Sequence, residues 1–344
     1  MSILLTLLGI SLLIILHEAG HYLVARACGM RVSRFSLGFG PTLLSRRFGE
    51  TTWQVAAVPL GGYVLIDGMG PQEDDAAGAP VPDHDPRSYK NKPAWQRAAV
   101  IFAGPMTNWL ITALLLMGLA ATTGFAQYDE TQPVLGDVMS EGPAAQAGLR
   151  PGDRVQSVGG VAVHDWASLV REIRAHPGTA LEVAIERDGQ PLRRTVTPKL
   201  AAGVGVMEVM PSAHLQQYSP GAAVVAGLQG AWHLTREQAR MLLGMFTGKA
   251  GGQLSGLPGI VKAVSKQAEQ SLARLIDSLA YLSIGLCLLN LLPVPALDGS
   301  RLLFLGVEMV RRRPVDERIE GLIHTAGFVL LLGVMVFVSV RDLL

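Results

Sequence analysis

Hydrophobic positions in this chain gather into long blocks separated by polar and glycine-rich stretches. Four blocks reach the roughly 20 residues needed to cross a bilayer as a helix. They lie at about 2–25, 98–121, 276–297 and 321–340. The first is almost wholly apolar from Ile3 to Leu16 and then runs into His17-Glu18-Ala19-Gly20-His21. On a helix, positions i and i+4 share a face, so both imidazoles can reach one ion. Glu18 then sits where a carboxylate can take a proton from water activated by that ion. Two histidines and a glutamate are costly in hydrocarbon without partners, which favours metal binding over a chance H-E-x-x-H match.

Between the blocks the pattern changes period. Val32 to Phe48 and Thr51 to Val64 read as strands punctuated by Gly38, Gly40, Gly61 and Gly62. They predict either a simple membrane-surface hairpin or a sheet edge able to pair with an extended peptide. Asp67 to Pro86, with His84, is rich in Pro, Gly, Ala and acid and reads as a mobile linker. From Gln132 to about Pro198 the texture is that of a soluble domain. Val134–Val138, Arg154–Val158, Leu181–Arg187 and Leu192–Val196 are strand-like, and Asp188-Gly189 is a hairpin signal. Pro143–Ala147 and Trp166–Arg174 are helical, and His164 and His176 read as surface histidines. Val224 to Phe246 has apolar residues at helical spacing, suited to the outer membrane interface or to packing on the soluble domain.

The boundaries that follow are residues 1–27 for the first transmembrane helix, 28–96 for the hairpin region and linker, and 97–121 for the second span. The soluble domain takes 125–200 and a connector with an amphipathic helix 201–274. The third span and its Leu-Asp-Gly motif take 275–310, a basic loop 311–319 and the fourth span 320–344. Basic residues crowd the first loop (Arg26, Arg31, Arg34, Arg46, Arg47, Lys90, Lys92, Arg97) and the short third one (Arg311, Arg312, Arg313, Arg318). Both loops therefore read as cytoplasmic, with 122–275 outside.

Composition agrees with this picture. The chain has 344 residues, 49% of them hydrophobic and 17% charged, with mean hydropathy +0.33. The net charge of +1 carries no nucleic-acid footprint. Cys28 and Cys287 lie by apolar runs and read as packed small residues, not as a disulfide or a thiolate site.

A catalytic zinc site wants three protein ligands. His17 lies roughly 22 Å into the first span at 1.5 Å per residue. The third span also runs inward, through Asn290 and past Pro293 and Pro295, to Asp298. Asp298 then reaches the depth of His17 and His21 and is the candidate third ligand, the alternative being a cap on the next helix. His324, at the start of the fourth span, is an alternative ligand. Asn108, about a turn beyond Gly104-Pro105 in the second span, either glues helices or faces the site.

These pieces together resemble the site-2 protease family of intramembrane zinc metalloproteases, in its bacterial RseP type. The resemblance is carried by His17 to His21, Phe102 to Asn108, Ser255 to Ile260 and Asn290 to Gly299. The soluble domain resembles a PDZ domain through Ala144-x-x-Ala147-Gly148-Leu149-x-x-Gly152-Asp153. The resemblance implies a polytopic α-helical membrane protein of four spans, with a cytoplasmic-side β-hairpin and one extracytoplasmic PDZ domain. It implies one Zn²⁺ held by His17, His21 and Asp298, Glu18 as general base, and Asn290 holding unwound substrate. Asn108 is a further candidate for substrate contact. It implies a bacterial inner-membrane protease whose partners are lipid, single-span membrane proteins such as pre-trimmed anti-sigma factors or remnant signal peptides, and a peptide ligand of the PDZ domain. Some family members carry two PDZ domains where this chain shows one, and Leu257-Pro258-Gly259 departs from the Pro-Val-Gly order of the family. The rival readings are a catalytically silent scaffold that captures peptide ends and a transporter, the latter without the expected inverted repeat.

Overall fold

The computed structural model describes residues 1–69, 85–139, 141–201, 203–247, 256–313 and 315–343. His84 and Ser255 lie outside the described residues, as does most of the linker. The chain divides into two compact units, Met1–Leu119 with Ser219–Leu344, and Ala120–Tyr218.

In the first unit the apolar opening run forms α1 (Ser2–Ala27), which Gly29 ends in a left-handed turn at φ +67°. Two long strands follow, β1 (Val32–Phe48) and β2 (Thr51–Ile66). The pair folds back on itself: Val32–Leu37 has Gly62–Ile66 on one side and Thr52–Val55 on the other, and Thr52–Val55 takes Leu44–Arg47 on its far side. Phe35 also faces Trp53, with the rings stacked 4.6 Å apart and Tyr22 of α1 edge-on to both. This aromatic cluster docks the base of the hairpin one residue beyond His21. Leu43, Leu44 and Phe48 are exposed. Asp67 corrects the linker reading at its start. It is buried, bonds the Arg31 guanidinium, and accepts the Tyr89 N–H through its carbonyl. A buried carboxylate with a guanidinium partner is an anchor, because an unpaired charge there is expensive.

Helix α2 (Ala94–Thr122) runs unbroken past Pro105. Its middle is nearly dry, with Val100, Ile101, Asn108, Thr112 and Ala113 all at or below 1% exposure.

The second unit is a small α+β body. Its elements are β3 (Phe125–Tyr128), β4 (Leu135–Val138), α3 (Pro143–Gln146), β5 (Arg154–Val158), β6 (Val161–Ala162), α4 (Trp166–Ala175), β7 (Leu181–Arg187) and β8 (Gln190–Val196). Four short strands complete it: β9 (Lys199–Ala201), β10 (Val204–Val206), β11 (Val209–Pro211) and β12 (Ala213–Gln216). The main sheet has order β6-β5-β7-β8, β11 pairs β4, and β12 pairs β3. Alternate residues Leu181, Val183 and Ile185 point inward and meet Val155, Val158, Trp166, Leu169 and Ile173 in one core. Asp188 and Gly189 both have positive φ, the geometry of the tight hairpin that Asp-Gly favours. Asp165 caps α4 by accepting the Ser168 N–H at 2.7 Å, and Ser168 Oγ reciprocates at the Asp165 N–H. This unit runs to Tyr218, so part of the expected connector completes a sheet body.

The chain then re-enters the first unit through α5 (Pro220–Phe246), α6 (Leu257–Gln270), α7 (Leu272–Leu291), α8 (Asp298–Arg311) and α9 (Glu317–Leu343). Helix α5 packs on α2 and α7. Thr235 accepts from the Trp109 indole of α2 at 3.2 Å, and buried Gln238 donates to the Tyr281 carbonyl of α7 at 2.9 Å. Gly227 lies flush against Met117. Small residues let helices approach closely and buried amides bond across them, and α5 uses both. Among the described residues α1, α2, α7 and the Arg318–Asp342 part of α9 are long and apolar enough to cross a membrane.

Candidate metal centre

The helical repeat of α1 brings His17 Nε2 and His21 Nε2 to 3.2 Å, with their rings nearly perpendicular. Asp298 Oδ2 lies 3.2 Å from the first and 3.3 Å from the second. Zinc bonds of about 2.0–2.1 Å in a tetrahedral site require donors about 3.3–3.4 Å apart, so the triangle has the right size. Asp298 Oδ2 is buried without a hydrogen-bond donor. Two imidazole nitrogens and a carboxylate oxygen facing one another make a donor set that fits a divalent cation.

The far sides of the rings are also held. His21 Nδ1 lies 2.8 Å from the Val100 carbonyl, which can only accept, so Nδ1 carries the proton and the Nε2 lone pair is free. The Asn108 amide sits 3.2 Å from His17 Nδ1, and its Oδ1 is the amide atom left without a partner. A half-turn exchanges the two ends of an amide. With Oδ1 accepting from Nδ1–H, both imidazoles offer Nε2 to the ion. Asn108 is fully buried and does not line the cavity beside Glu18. The substrate contact expected of it gives way to a place behind His17. The Asn108 backbone carbonyl also accepts from Ser283 Oγ of α7 at 2.9 Å, which ties α2 to α7.

Val100, Gly104 and Asn108 are spaced four apart on α2 and form one stripe against the two rings. Gly104 leaves no room for a side chain: a Cβ there would sit 2.2 Å from His21 Nε2 and 2.7 Å from His17 Cε1. In sequence it stands out only as the neighbour of Pro105. A small residue level with the zinc pattern is the signal that points to it. Nothing in sequence marks the Val100 carbonyl.

Asp298 reaches the centre because α7 stops at Leu291, six residues bridge, and α8 begins at Asp298 itself with Leu297 as its cap residue. Glu18, His21 and Asp298 line a 380 Å³ cavity together with Tyr63 to Met69 of the hairpin side. The Val64 backbone N–H bonds the Glu18 carboxylate. Asn290 Nδ2 is 3.5 Å from His17 Nε2, at the same centre from the α7 side. His324 is not part of the triangle: the group of potential ligands among the described residues is His17, His21 and Asp298.

A polytopic membrane protein whose first helix carries two histidines and an acid, with a distant aspartate brought within 3.3 Å of both imidazoles, has the constellation of a metallopeptidase. The sequence description of Peptidase family M50 matches residues 5–334, and the chain belongs to that family. "Putative zinc metalloprotease mll0638" of Mesorhizobium japonicum is 36% identical over 356 residues, covering 97% of this chain and 96% of that protein. "Zinc metalloprotease RasP" of Geobacillus kaustophilus is 31% identical over 410 residues, covering 96% and 95%. A solved PDZ domain of a Listeria monocytogenes SdrC-like protein aligns with 24% of this chain and 87% of its own, at TM-score 0.20 and 15% identity. That likeness is too slight to carry weight.

Proposed function

We propose that this zinc metalloprotease hydrolyses peptide bonds inside the transmembrane segments of single-span membrane proteins. The observation that carries the reading is the triangle of His17 Nε2, His21 Nε2 and Asp298 Oδ2, built on an apolar helix long enough to cross a membrane. His17, His21 and Asp298 hold one Zn²⁺, which when bound supplies the Lewis acidity that polarises a peptide carbonyl. Glu18 takes the proton of the attacking water and hands it to the leaving amide nitrogen. A substrate helix hides its carbonyls in hydrogen bonds, so it must unwind first. The Gly62–Ile66 edge of β2 supplies backbone groups for an extended peptide, and Asn290 steadies the unwound stretch. The cavity shared by Glu18 and Tyr63 to Met69 supports this role for the edge.

The chain sits in a bacterial inner membrane, in contact with lipid, with its active site toward the cytoplasmic side. The Ala120–Tyr218 unit, read as a PDZ domain from its Ala-Gly-Leu-x-x-Gly-Asp motif, faces outward and takes peptide ends. By the family resemblance the substrates are pre-trimmed anti-sigma factors or remnant signal peptides, cut in regulated intramembrane proteolysis. The test is Glu18→Gln in purified protein with a single-span substrate. Turnover falls by several orders of magnitude while zinc content stays at one per chain; unchanged turnover removes Glu18 as the base.

A further inference from the structure

The loop from Leu292 to Leu297 decides where Asp298 points, and its local hydrogen bonds leave one amide to be held from outside. Pro293 and Pro295 have no N–H. The Leu292, Val294 and Leu297 N–H groups bond carbonyls within or just before the loop, at 3.0, 2.7 and 3.1 Å. The Ala296 N–H leaves the loop and donates to His324 Nδ1 of α9 at 3.2 Å. Ala296 itself is left-handed at φ +73°, a conformation that a residue with a Cβ disfavours. A strained turn two residues from a metal ligand persists only where its surroundings hold it.

The surroundings are on α9. Gly327, three residues after His324, lies so close to the loop that a Cβ there would meet Pro295 Cβ at 2.2 Å. Glu320 Oε1, one turn before His324, is 3.7 Å from its Nε2. A carboxylate on that side favours the tautomer with its proton on Nε2, which leaves Nδ1 free to accept from Ala296. The Phe304 ring of α8 packs 5.7 Å from the imidazole and limits its swing.

We propose that His324 is a positioning residue of the metal centre: its Nδ1 clamps the Ala296 N–H and so fixes the left-handed turn that presents Asp298 Oδ2 to His17 and His21. Helix α9, which supplies no ligand, is in this way the support of the third ligand. The inference rests on the reading of His17, His21 and Asp298 as a zinc site. It assigns to His324 the part of a support and not of a ligand.

The test uses the full chain in detergent, with His324→Phe to remove the acceptor while keeping a ring against Phe304, and His324→Asn to keep an acceptor near the Nδ1 position. His324→Leu makes the same deletion without an aromatic. Hydrogen exchange is measured on zinc-free protein, and zinc affinity by competition with a chromophoric chelator. In the Phe and Leu variants, exchange rises at Ala296 to Asp298 and not in the rest of α8 and α9. Their zinc affinity falls about 10–100-fold, the usual effect of losing an outer support. The Asn variant stays near wild type in both measurements. Unchanged loop exchange in His324→Phe overturns the clamp. Faster exchange with wild-type zinc affinity overturns its role at the metal. Wild-type protein that binds zinc no better than Asp298→Ala overturns the metal reading itself, and the loop-exchange result separates that failure from failure of the clamp.

Discussion

Replacing Gly104 with alanine is the smallest change that tests the centre's geometry. The added methyl would stand 2.2 Å from His21 Nε2, 2.6 Å from His21 Cε1 and 2.7 Å from His17 Cε1. Non-bonded heavy atoms settle at about 3.5 Å or more, so the closest ring atom must retreat by more than 1 Å. Neither ring is free to do so. His21 is tied at its back to Val100 at 2.8 Å and His17 to Asn108 at 3.2 Å, one turn on either side of Gly104 on the same helix. Metal bonds tolerate roughly 0.2 Å, so the shift takes at least one imidazole out of bonding reach. Zinc affinity should drop by at least about 100-fold, or ~2.8 kcal/mol at 1.4 kcal/mol per decade. The helix itself is not weakened, since alanine is about 1 kcal/mol better than glycine in a helix interior. Zinc competition and metal content in purified protein decide the matter, with circular dichroism as the check on folding. A folded Gly104→Ala protein with wild-type zinc affinity would refute the packing of α2 against the two histidines.

Two further predictions concern the metal centre and a third the second unit. Chelating the metal abolishes turnover and added zinc restores it in wild type, whereas Asp298→Ala is not restored at the same free zinc; activity and metal content are read together. Asn108→Leu removes the acceptor behind His17 and weakens zinc binding about 10–100-fold, while Asn108→Asp retains an acceptor and binds more tightly than the Leu variant; the chelator titration checks both. In the second unit, Asp153→Ala deletes a fully buried carboxylate that takes two Arg187 bonds at 2.7 and 2.8 Å and the Arg150 N–H at 2.8 Å. The Arg187 head retains some access to water, so the cost is about 2–3 kcal/mol. It is read as faster hydrogen exchange across β5 and β7 in the full chain.

Much of the centre is legible in the amino-acid sequence alone, because its core follows from the backbone repeat. An H-E-x-x-H run on a helix must put both imidazoles on one face, whatever surrounds it. The Asp-Gly hairpin, the α4 helix and the alternating strands of the second unit are likewise local, set by φ preferences and by the period of burial. Asp298 is legible through an argument of depth, since a lone carboxylate two prolines beyond a span needs a cation.

Distances between segments remote in sequence come from packing and not from any local pattern. Asn108 stands behind His17 and outside the cavity because α1 and α2 cross where Gly20 and Gly104 permit close approach. Helix α5 lies on α2 and α7, and its apolar spacing says that it packs without saying on what. Asp67 is an anchor and not part of a loose linker because Arg31 happens to lie within reach. His324 looks like a spare ligand in sequence and is a hydrogen-bond acceptor in space, 28 residues from the amide it holds. Periodicity is a property of one segment and is written in that segment. The fit between two segments depends on how both pack, and that is settled by the folded chain as a whole.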